Sequence, residues 1–439
     1  MLPKSPAPAS LPILLLAILV VFTAQIAIPT AADAQASQYI APGSLAIVQE
    51  SALERVEEDA ERAPWRLGPL RLAPRLSLTN LGYDDNVYSS KEGEESVADF
   101  HALIGAGIAA YSKLGQHTYF STYAAPEYSW WQDRDELRDL TISYGAGVFG
   151  TFNRFQLAVQ GTSTDREQLL SSEAEVPVQR LQQRIALDTR LEIRTRLALY
   201  TRATSARIRY DDSLQEQRPD ILLPELESDT DLLEAVIAAI LRNGLEIGLG
   251  LSDRQTTFLV DPGGRSNQST SPVLKLAMGG DRLHLDARLL LEETEFDNPD
   301  LERFEETTGS FLLDYGFSPK TGVAMYVSRS LVYGVSAAES TIDHSRFGTS
   351  LRRKFGRRLH GRLFAETGRS EYLDPGGASL NRNDDLSALG AEVSMDVGQL
   401  GALRFSYSET IYDSNLPDFD RSTRRVGLGL DLSRGLLPW

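Results

Sequence analysis

The chain has 439 residues, a formal charge of −17 and no cysteine, and only six of its 44 basic residues are lysine. The acidic balance argues against a nucleic-acid partner, and the missing thiols exclude disulfide staples and thiolate metal sites. The length admits two or three ordinary domains or one large barrel. A mean hydropathy of −0.23 leaves both open, because half of each barrel strand is polar. The arginine excess is explained equally by a high-GC genome and by a need for planar, bidentate contacts to carboxylate or phosphate.

Residues 1–36 read as a secretory signal peptide. Lys4 gives the positive start, residues 11–22 are apolar apart from Pro12, and Ala34-Gln35-Ala36 offers a small-x-small cleavage site. Cleavage before Ser37 removes Lys4 and Asp33, so the mature charge is unchanged. No other stretch is long and apolar enough for a transmembrane helix, and an exported membrane protein without such helices is a barrel.

Residues 37–65 form a periplasmic N-terminal segment. Ser51 and Glu54 have capping-box spacing, and Leu53 and Val56 share a face among Glu57, Glu58, Asp59 and Glu61. A helix this short is marginal alone. A flexible lead-in is the favoured reading, and a docking or gating helix beneath the barrel is the other.

Residues 66–439 change texture and keep it. Ile104, Ala106 and Ile108 alternate with Gly105, Gly107 and Ala109, and Leu245, Ile247, Leu249 and Leu251 alternate with Glu246, Gly248, Gly250 and Ser252. Ile185, Leu187, Leu191 and Ile193 alternate with Arg184, Asp188, Arg190 and Glu192. Leu283, Leu285, Leu289 and Leu291 alternate with Arg282, Asp286, Arg288 and Glu292. A period of two means strands with one apolar face. Tight turns fall near Leu114-Gly115, Asn153-Arg154, Asn243-Gly244, Gly279-Gly280, Ser318-Pro319, Gly356-Arg357 and Gly398-Gln399. Between them lie long polar loops over 84–97, 164–177, 211–229, 261–271, 295–305, 374–385 and 413–421. Turns that alternate short and long predict an all-β fold, a transmembrane antiparallel β-barrel of about 18 strands with short periplasmic turns and long extracellular loops. Residues 232–241 are the weakest strand, since alone they read as a buried helix. Tyr111, Phe149, Phe152, Phe155, Phe317, Phe355 and Trp439 beside the short turns, and Trp130, Trp131, Tyr210, Phe258, Tyr333, Tyr372 and Tyr412 near the long loops, predict two aromatic girdles.

The last stretch, Arg424 to Trp439, alternates Val426, Leu428, Leu430 and Leu432 with Gly427, Gly429, Asp431 and Ser433 and stops on an aromatic. It resembles the closing strand of bacterial outer-membrane barrels, which assembly machinery reads as a signal, with Pro438-Trp439 where most such proteins have Phe. Trp439 is therefore expected to matter for barrel closure. The first long strand ends Gly82-Tyr83-Asp84-Asp85-Asn86-Val87-Tyr88. This opening resembles the outer-membrane β-barrel family labelled barrel porin type 2, many members of which belong to exopolysaccharide synthesis and export gene sets. The resemblance covers the opening motif closely and the remaining barrel by pattern. It implies a role in moving or assembling a surface polysaccharide and supplies no catalytic residues.

Three constellations remain. Asp84, Asp85 and Asn86 read as turn-holding side chains before a cation or sugar contact. A lumenal set of Arg184, Asp188, Arg190, Glu192, Arg282, Asp286, Arg288 and Arg404, with Arg180, Arg202 and Arg352, reads equally as a solvated wall of ion pairs and as a path for acidic sugars. In Asp343-His344-Ser345 neighbouring side chains point to opposite faces, so no Ser/His nucleophile forms. The acidic loops keep the outer rim solvated.

The expected function is an outer-membrane conduit taking part in export of a surface polysaccharide, with no enzymatic activity, cofactor or metal. Its partners would be outer-membrane lipid and lipopolysaccharide, the polysaccharide itself, periplasmic export proteins and the barrel-assembly machinery. The alternatives are a general or solute-specific porin, and a non-conducting scaffold plugged by its own loops or by residues 37–65.

Overall fold

Strands with one apolar face and no second sheet to bury it against must close on themselves in lipid. The computed structural model describes residues 52–91, 93–170, 176–211, 221–241, 244–280, 282–299, 303–335, 341–373, 382–397, 401–416 and 419–432. The signal peptide, Ser51 of the capping box, Asn243, Gly398-Gln399 and the terminal Trp439 lie outside the described residues.

A helix, α1 (Ala52–Arg62), is followed by nineteen strands. They are β1 (Trp65–Leu67), β2 (Leu70–Asp84), β3 (Asp99–Lys113), β4 (Thr118–Trp131), β5 (Asp139–Phe152), β6 (Phe155–Leu169), β7 (Pro177–Arg194), β8 (Leu197–Tyr210), β9 (Ser228–Ile240) and β10 (Glu246–Phe258). The second half comprises β11 (Asn267–Met278), β12 (Leu283–Phe296), β13 (Phe304–Ser318), β14 (Thr321–Tyr333), β15 (Thr341–Phe355), β16 (Leu359–Leu373), β17 (Asn383–Val397), β18 (Gly401–Ser414) and β19 (Arg421–Asp431). From β2 onward each strand pairs antiparallel with the next, and β19 returns to β2 through Arg425↔Asp84 to Asp431↔Ser77. The result is a closed ring of 18 strands. The short β1 stands outside the ring and, among the described residues, pairs with the foot of β2, Trp65 opposite Leu72.

The outward face is apolar all round: Leu76, Ile104, Leu140, Ile185, Leu249, Leu291, Leu363 and Leu389 are all more than half exposed, Leu249 by 69%. A belt of this size would not survive in water. Turns are sorted as the sequence predicts. One rim carries short links such as Asn153-Arg154, where Asn153 takes the left-handed φ of 56° that a tight hairpin demands. Both described ends of the chain lie at that rim, and the long loops lie at the other.

Residues 232–241, helix-like alone, lie in strand β9 up to Ile240, held by ladders to β8 and β10. Their period of two is hidden because both faces are apolar there: Leu233 and Ile237 face lipid, while Val236 packs inward on Val273, Leu290 and Tyr200.

Two expectations need correction. The loop expected over 164–177 is half strand, since β6 runs to Leu169 and β7 starts at Pro177. The girdles are also partly misassigned. Phe152, Phe317 and Phe355 do face outward at the short-turn rim, but Tyr111 and Phe149 are buried inward. Near the long loops Trp131, Phe258, Tyr333, Tyr372 and Tyr412 are buried too, and the outward aromatics there include the expected Trp130 together with Tyr83, Phe100, Tyr128 and Tyr144. Strand parity decides this: an aromatic at an inward position packs under a loop instead of meeting the interface.

Closure depends on one close approach. A Cβ on Gly82 would lie 1.9 Å from the Val426 carbonyl oxygen across the β2–β19 seam. Gly82→Val is expected to prevent closure, read as loss of the heat-modifiable band in unboiled electrophoresis. Gly161→Val, where nothing lies within 4 Å, should keep that band. Equal behaviour of the two variants would count against the seam as the sensitive joint.

Candidate functional site

The candidate site is the lumen, and its wall is built by alternation. On β7, outward Ile185, Leu187 and Leu191 alternate with inward Arg184, Asp188 and Arg190. Arg190 donates to Glu246 at 3.2 Å and to the Tyr200 hydroxyl oxygen at 2.8 Å, and it also pairs with Glu192 at 2.5 Å. Arg202 Nε donates to Asp188 Oδ1 at 2.7 Å. Arg288 pairs with Glu234, and Lys275 sits 3.7 Å above the Tyr200 ring, within electrostatic reach of Asp286. On the far wall Arg352 meets Asp314 at 2.6 Å and Arg404 meets Glu392 at 3.3 Å, with the arginine side chains 45% and 59% exposed inside the ring. Exposed charges on an inward face mean a water-accessible interior.

The lumenal set named from the sequence thus divides. Arg184, Asp188, Arg190, Glu192, Asp286, Arg288 and Arg404 face inward. Arg282 lies in the turn before β12, exposed at the short-turn rim, where its carbonyl accepts from Gly316 N at 2.7 Å. Lys275, Tyr200, Glu246 and Glu234 belong to the same wall and were not singled out, although the alternation of their strands places them there.

The short-turn mouth is partly filled. Helix α1 lies inside the ring, with its Val56 and Ala60 and the following Ala63 packed on Ala73, Ala109, Tyr111, Tyr119 and Phe149 of β2–β5. Tyr119 OH donates to Glu57 at 2.9 Å. Arg71 donates to the Ala60 carbonyl at 3.1 Å, satisfying a free carbonyl in the last turn with a cation. In the described part the barrel wall supplies the apolar partner that so short a helix lacks alone.

At the other mouth the loops fold inward. Val87 and Tyr88 after β2, Leu137 after β4, Leu170 and Val176 between β6 and β7, Ile221, Leu223 and Leu226 before β9, and Val335 after β14 form one buried apolar cluster with Trp131 and Val178. The Val335 loop reaches in from the far side of the ring, where its carbonyl accepts from Leu222 N at 3.2 Å. Arg265 reinforces this, donating to the Gly334 carbonyl at 3.3 Å and to the Glu225 carbonyl at 2.5 Å. Tyr88 donates to Glu136 at 2.9 Å, and burial together with that carboxylate pushes its phenol well above the usual tyrosine range. These loops make a lid over the long-loop mouth.

The opening motif proves to be a seam clamp. Asp84 Oδ2 accepts from Arg425 Nε at 2.8 Å, Asp85 Oδ1 accepts from Arg424 N at 2.7 Å, and Asn86 Nδ2 donates to the Ser422 carbonyl at 3.0 Å. Asn86 Oδ1 also accepts from Ser90 N at 2.8 Å, the turn-holding role expected of it. Val87 and Tyr88 then enter the lid.

Asp343, His344 and Ser345 do separate by face. Asp343 pairs with Arg329, Ser345 Oγ donates to the Arg369 carbonyl at 3.4 Å, and His344 Nδ1 lies 2.9 Å from Ser370 Oγ on β16. His344 is buried, and its Nε2 has no hydrogen-bond partner among the described residues. Among the described residues no acid orients this serine–histidine pair, which lies out of reach of solvent.

No family model matches the sequence, and no curated protein matches it. Among solved structures, OccK3 (OpdO) of Pseudomonas aeruginosa superposes with a TM-score of 0.49 at 14% identity, over 82% of this chain and 96% of that one. A BenF-like porin from Pseudomonas fluorescens Pf-5 gives 0.49 at 12% identity, over 83% and 99%. A bacterial polysaccharide outer membrane secretin gives 0.37 at 9% identity, over 82% and 98%. Scores this low carry no inference about cargo. The even-stranded closed ring, the lipid-facing belt and the sorted turns make this chain a β-barrel of the bacterial outer membrane.

Proposed function

We propose that the barrel is a solute-specific porin, passing small hydrophilic molecules through a constricted, water-filled lumen. The observation that carries this reading is the lid: loops from both sides of the ring meet in one apolar cluster over the long-loop mouth. A polymer conduit needs a mouth wide enough for a continuous chain, whereas a porin gains selectivity from inward-folded loops. The exposed inward pairs Arg352–Asp314 and Arg404–Glu392 support a wet interior over a sealed scaffold. Export of a surface polysaccharide rests on the resemblance of the opening strand alone, and the residues of that motif are occupied in clamping the seam and starting the lid.

The test combines a gene deletion with reconstitution. The expected results are stepwise conductance in planar bilayers, liposome swelling with monosaccharides but not with long oligosaccharides, and unchanged surface polysaccharide in the deletion strain. Loss of surface polymer, restored by complementation, would return the export reading. Absence of any conductance would mean a scaffold.

A further inference from the structure

We propose that the β15–β16 hairpin at the short-turn rim is a docking site for an anionic phospholipid, holding the phosphodiester headgroup with Arg353, Arg357 and Arg358 and the chain below it beside Phe355. The inference does not depend on what the lumen carries. The sequence marks the place first. Residues 352–362 run Arg-Arg-Lys-Phe-Gly-Arg-Arg-Leu-His-Gly-Arg, six Lys or Arg and no Asp or Glu, in a chain whose acids outnumber its bases. The β5–β6 and β13–β14 turns carry one cation each, Arg154 and Lys320.

Strand parity divides these cations. Arg352 and His360 face the lumen, where they meet Asp314 at 2.6 Å and Asp396 at 3.4 Å. Arg353 faces outward with Leu351, Phe355, Leu359 and Leu363, all four exposed on the lipid side. The strands turn through Gly356-Arg357-Arg358, with Phe355 opposite Leu359 and Gly356 at the left-handed φ of 81°. Two more exposed arginines therefore stand at the tip. The outward side is shaped around the aromatic. A Cβ on Gly361, the cross-strand partner of Arg353, would come 3.0 Å from Phe355 Cε2, so the ring lies against bare backbone there. The Arg353 guanidinium stands 5.7 Å from the centre of that ring. An arginine propped on an aromatic keeps its planar fork presented, the shape that meets two phosphate oxygens.

Electrostatics and the apolar flank together select the occupant. Like charges crowded on one hairpin repel, and a bound anion relieves that repulsion. The outward residues of the neighbouring strands, Thr321 and Val323 on β14 and Val393, Met395 and Val397 on β17, are all neutral. The nearby acids Asp314, Glu392 and Asp396 lie on the lumen face. Below the arginines, Leu351 and Leu363 continue into the lipid-facing belt. Cations and an aromatic at the edge of an apolar belt sit at headgroup level. A ligand for this corner must carry negative charge and acyl chain in one molecule, as a phospholipid of the periplasmic leaflet does. A soluble acidic polymer makes no use of outward Phe355 and Leu359.

Phosphatidylglycerol is the probe, with phosphatidylcholine of the same acyl chains as its zwitterionic counterpart. The full mature chain in non-ionic detergent is titrated with each, and retained lipid is read by native mass spectrometry. The wild type should prefer phosphatidylglycerol. Arg353→Gln with Arg357→Gln should reduce that preference by about tenfold to thirtyfold, the range for two cations at an anionic surface. Arg154→Gln with Lys320→Gln removes the same charge from other short turns and should keep the preference. Phe355→Ala should weaken retention of both lipids. Heat-modifiable migration shows that each variant is folded; if the paired Arg353 and Arg357 variant is not, Arg357→Gln with Arg358→Gln, at the tip of the turn, decides by the same measure. Equal retention of the two lipids by the wild type, or an unchanged preference in the deciding variant, overturns the site. Purified peptidoglycan that sediments the wild type but not that variant, with lipid preference unchanged, overturns it in favour of an acidic polymer.

Discussion

Val56→Asp should raise the single-channel conductance of the barrel by about a third, because a docked helix about 10 Å across takes about a quarter of the cross-section of a lumen about twice as wide. Helix α1 has eleven residues, too few to be stable alone in water. Its hold on the wall comes from Val56, Ala60 and Ala63 against Ala109, Tyr111 and Phe149, helped by Tyr119–Glu57 and by Arg71 at its last turn. Burying a valine contributes about 1.5–3 kcal/mol, and an unpaired carboxylate in its place would cost more than that. The helix should then leave the mouth while the ring, which does not depend on it, stays closed. Deleting residues 52–64 should have the same effect. Because the chain has no cysteine, Ala60→Cys with Ala109→Cys offers a clean reciprocal test. In the Val56→Asp background a short bismaleimide bridge between the two cysteines should hold conductance at its low level, and omitting the bismaleimide should leave it raised. Equal conductance in the wild type, Val56→Asp and the deletion would show that α1 does not obstruct the path.

How much of this was legible in the sequence depends on which face of a strand is in question. Ile185 to Ile193 and Leu245 to Leu251 announce their two faces plainly, and with the sorted turns they give the ring, its strand number and the inward position of Arg184, Asp188 and Arg190. Period two does not say where the bilayer ends, however. Trp131, Phe258, Tyr333, Tyr372 and Tyr412 sit at inward positions above the belt, where the neighbours are loops from other parts of the chain. Nothing local to Val335 foretells that it meets Ile221 and Leu223. The same holds for α1: its short acidic pattern is visible, but the wall it docks on is assembled from β2–β5 by register. His344 and Ser370 are a further case, 26 residues apart and brought together only by the β15–β16 ladder. Arg282 fails for the opposite reason. Its place in the alternation falls one residue before the start of β12, in the turn, where facing inward has no meaning.

Within the lumen, ion pairs of similar composition should differ sharply in what they contribute. Glu366 is fully buried, paired with the equally hidden Arg346 and accepting a hydrogen bond from Tyr326 OH. Room for that ring comes from Gly348, whose missing Cβ would stand 2.2 Å from Tyr326 Cζ. Glu366→Ala leaves the Arg346 guanidinium buried without its carboxylate, and such half-removed pairs cost about 3–5 kcal/mol. Glu366→Gln keeps an acceptor for both donors and should cost less. Glu392→Ala breaks a pair whose arginine, Arg404, is 59% exposed to lumenal water, where the expected cost is about 0–1 kcal/mol. The midpoint of the heat-modifiability transition should therefore fall in the order Glu366→Ala, then Glu366→Gln, with Glu392→Ala close to wild type. The conductance pattern should run the other way, because Glu392 faces the water path and Glu366 braces the wall behind it: Glu392→Ala should shift ion selectivity toward anions at unchanged stability. A Glu366→Ala barrel as heat-resistant as the Glu392→Ala one would mean that the buried pair contributes nothing net, and that the backbone ladder alone sets the rigidity of this wall.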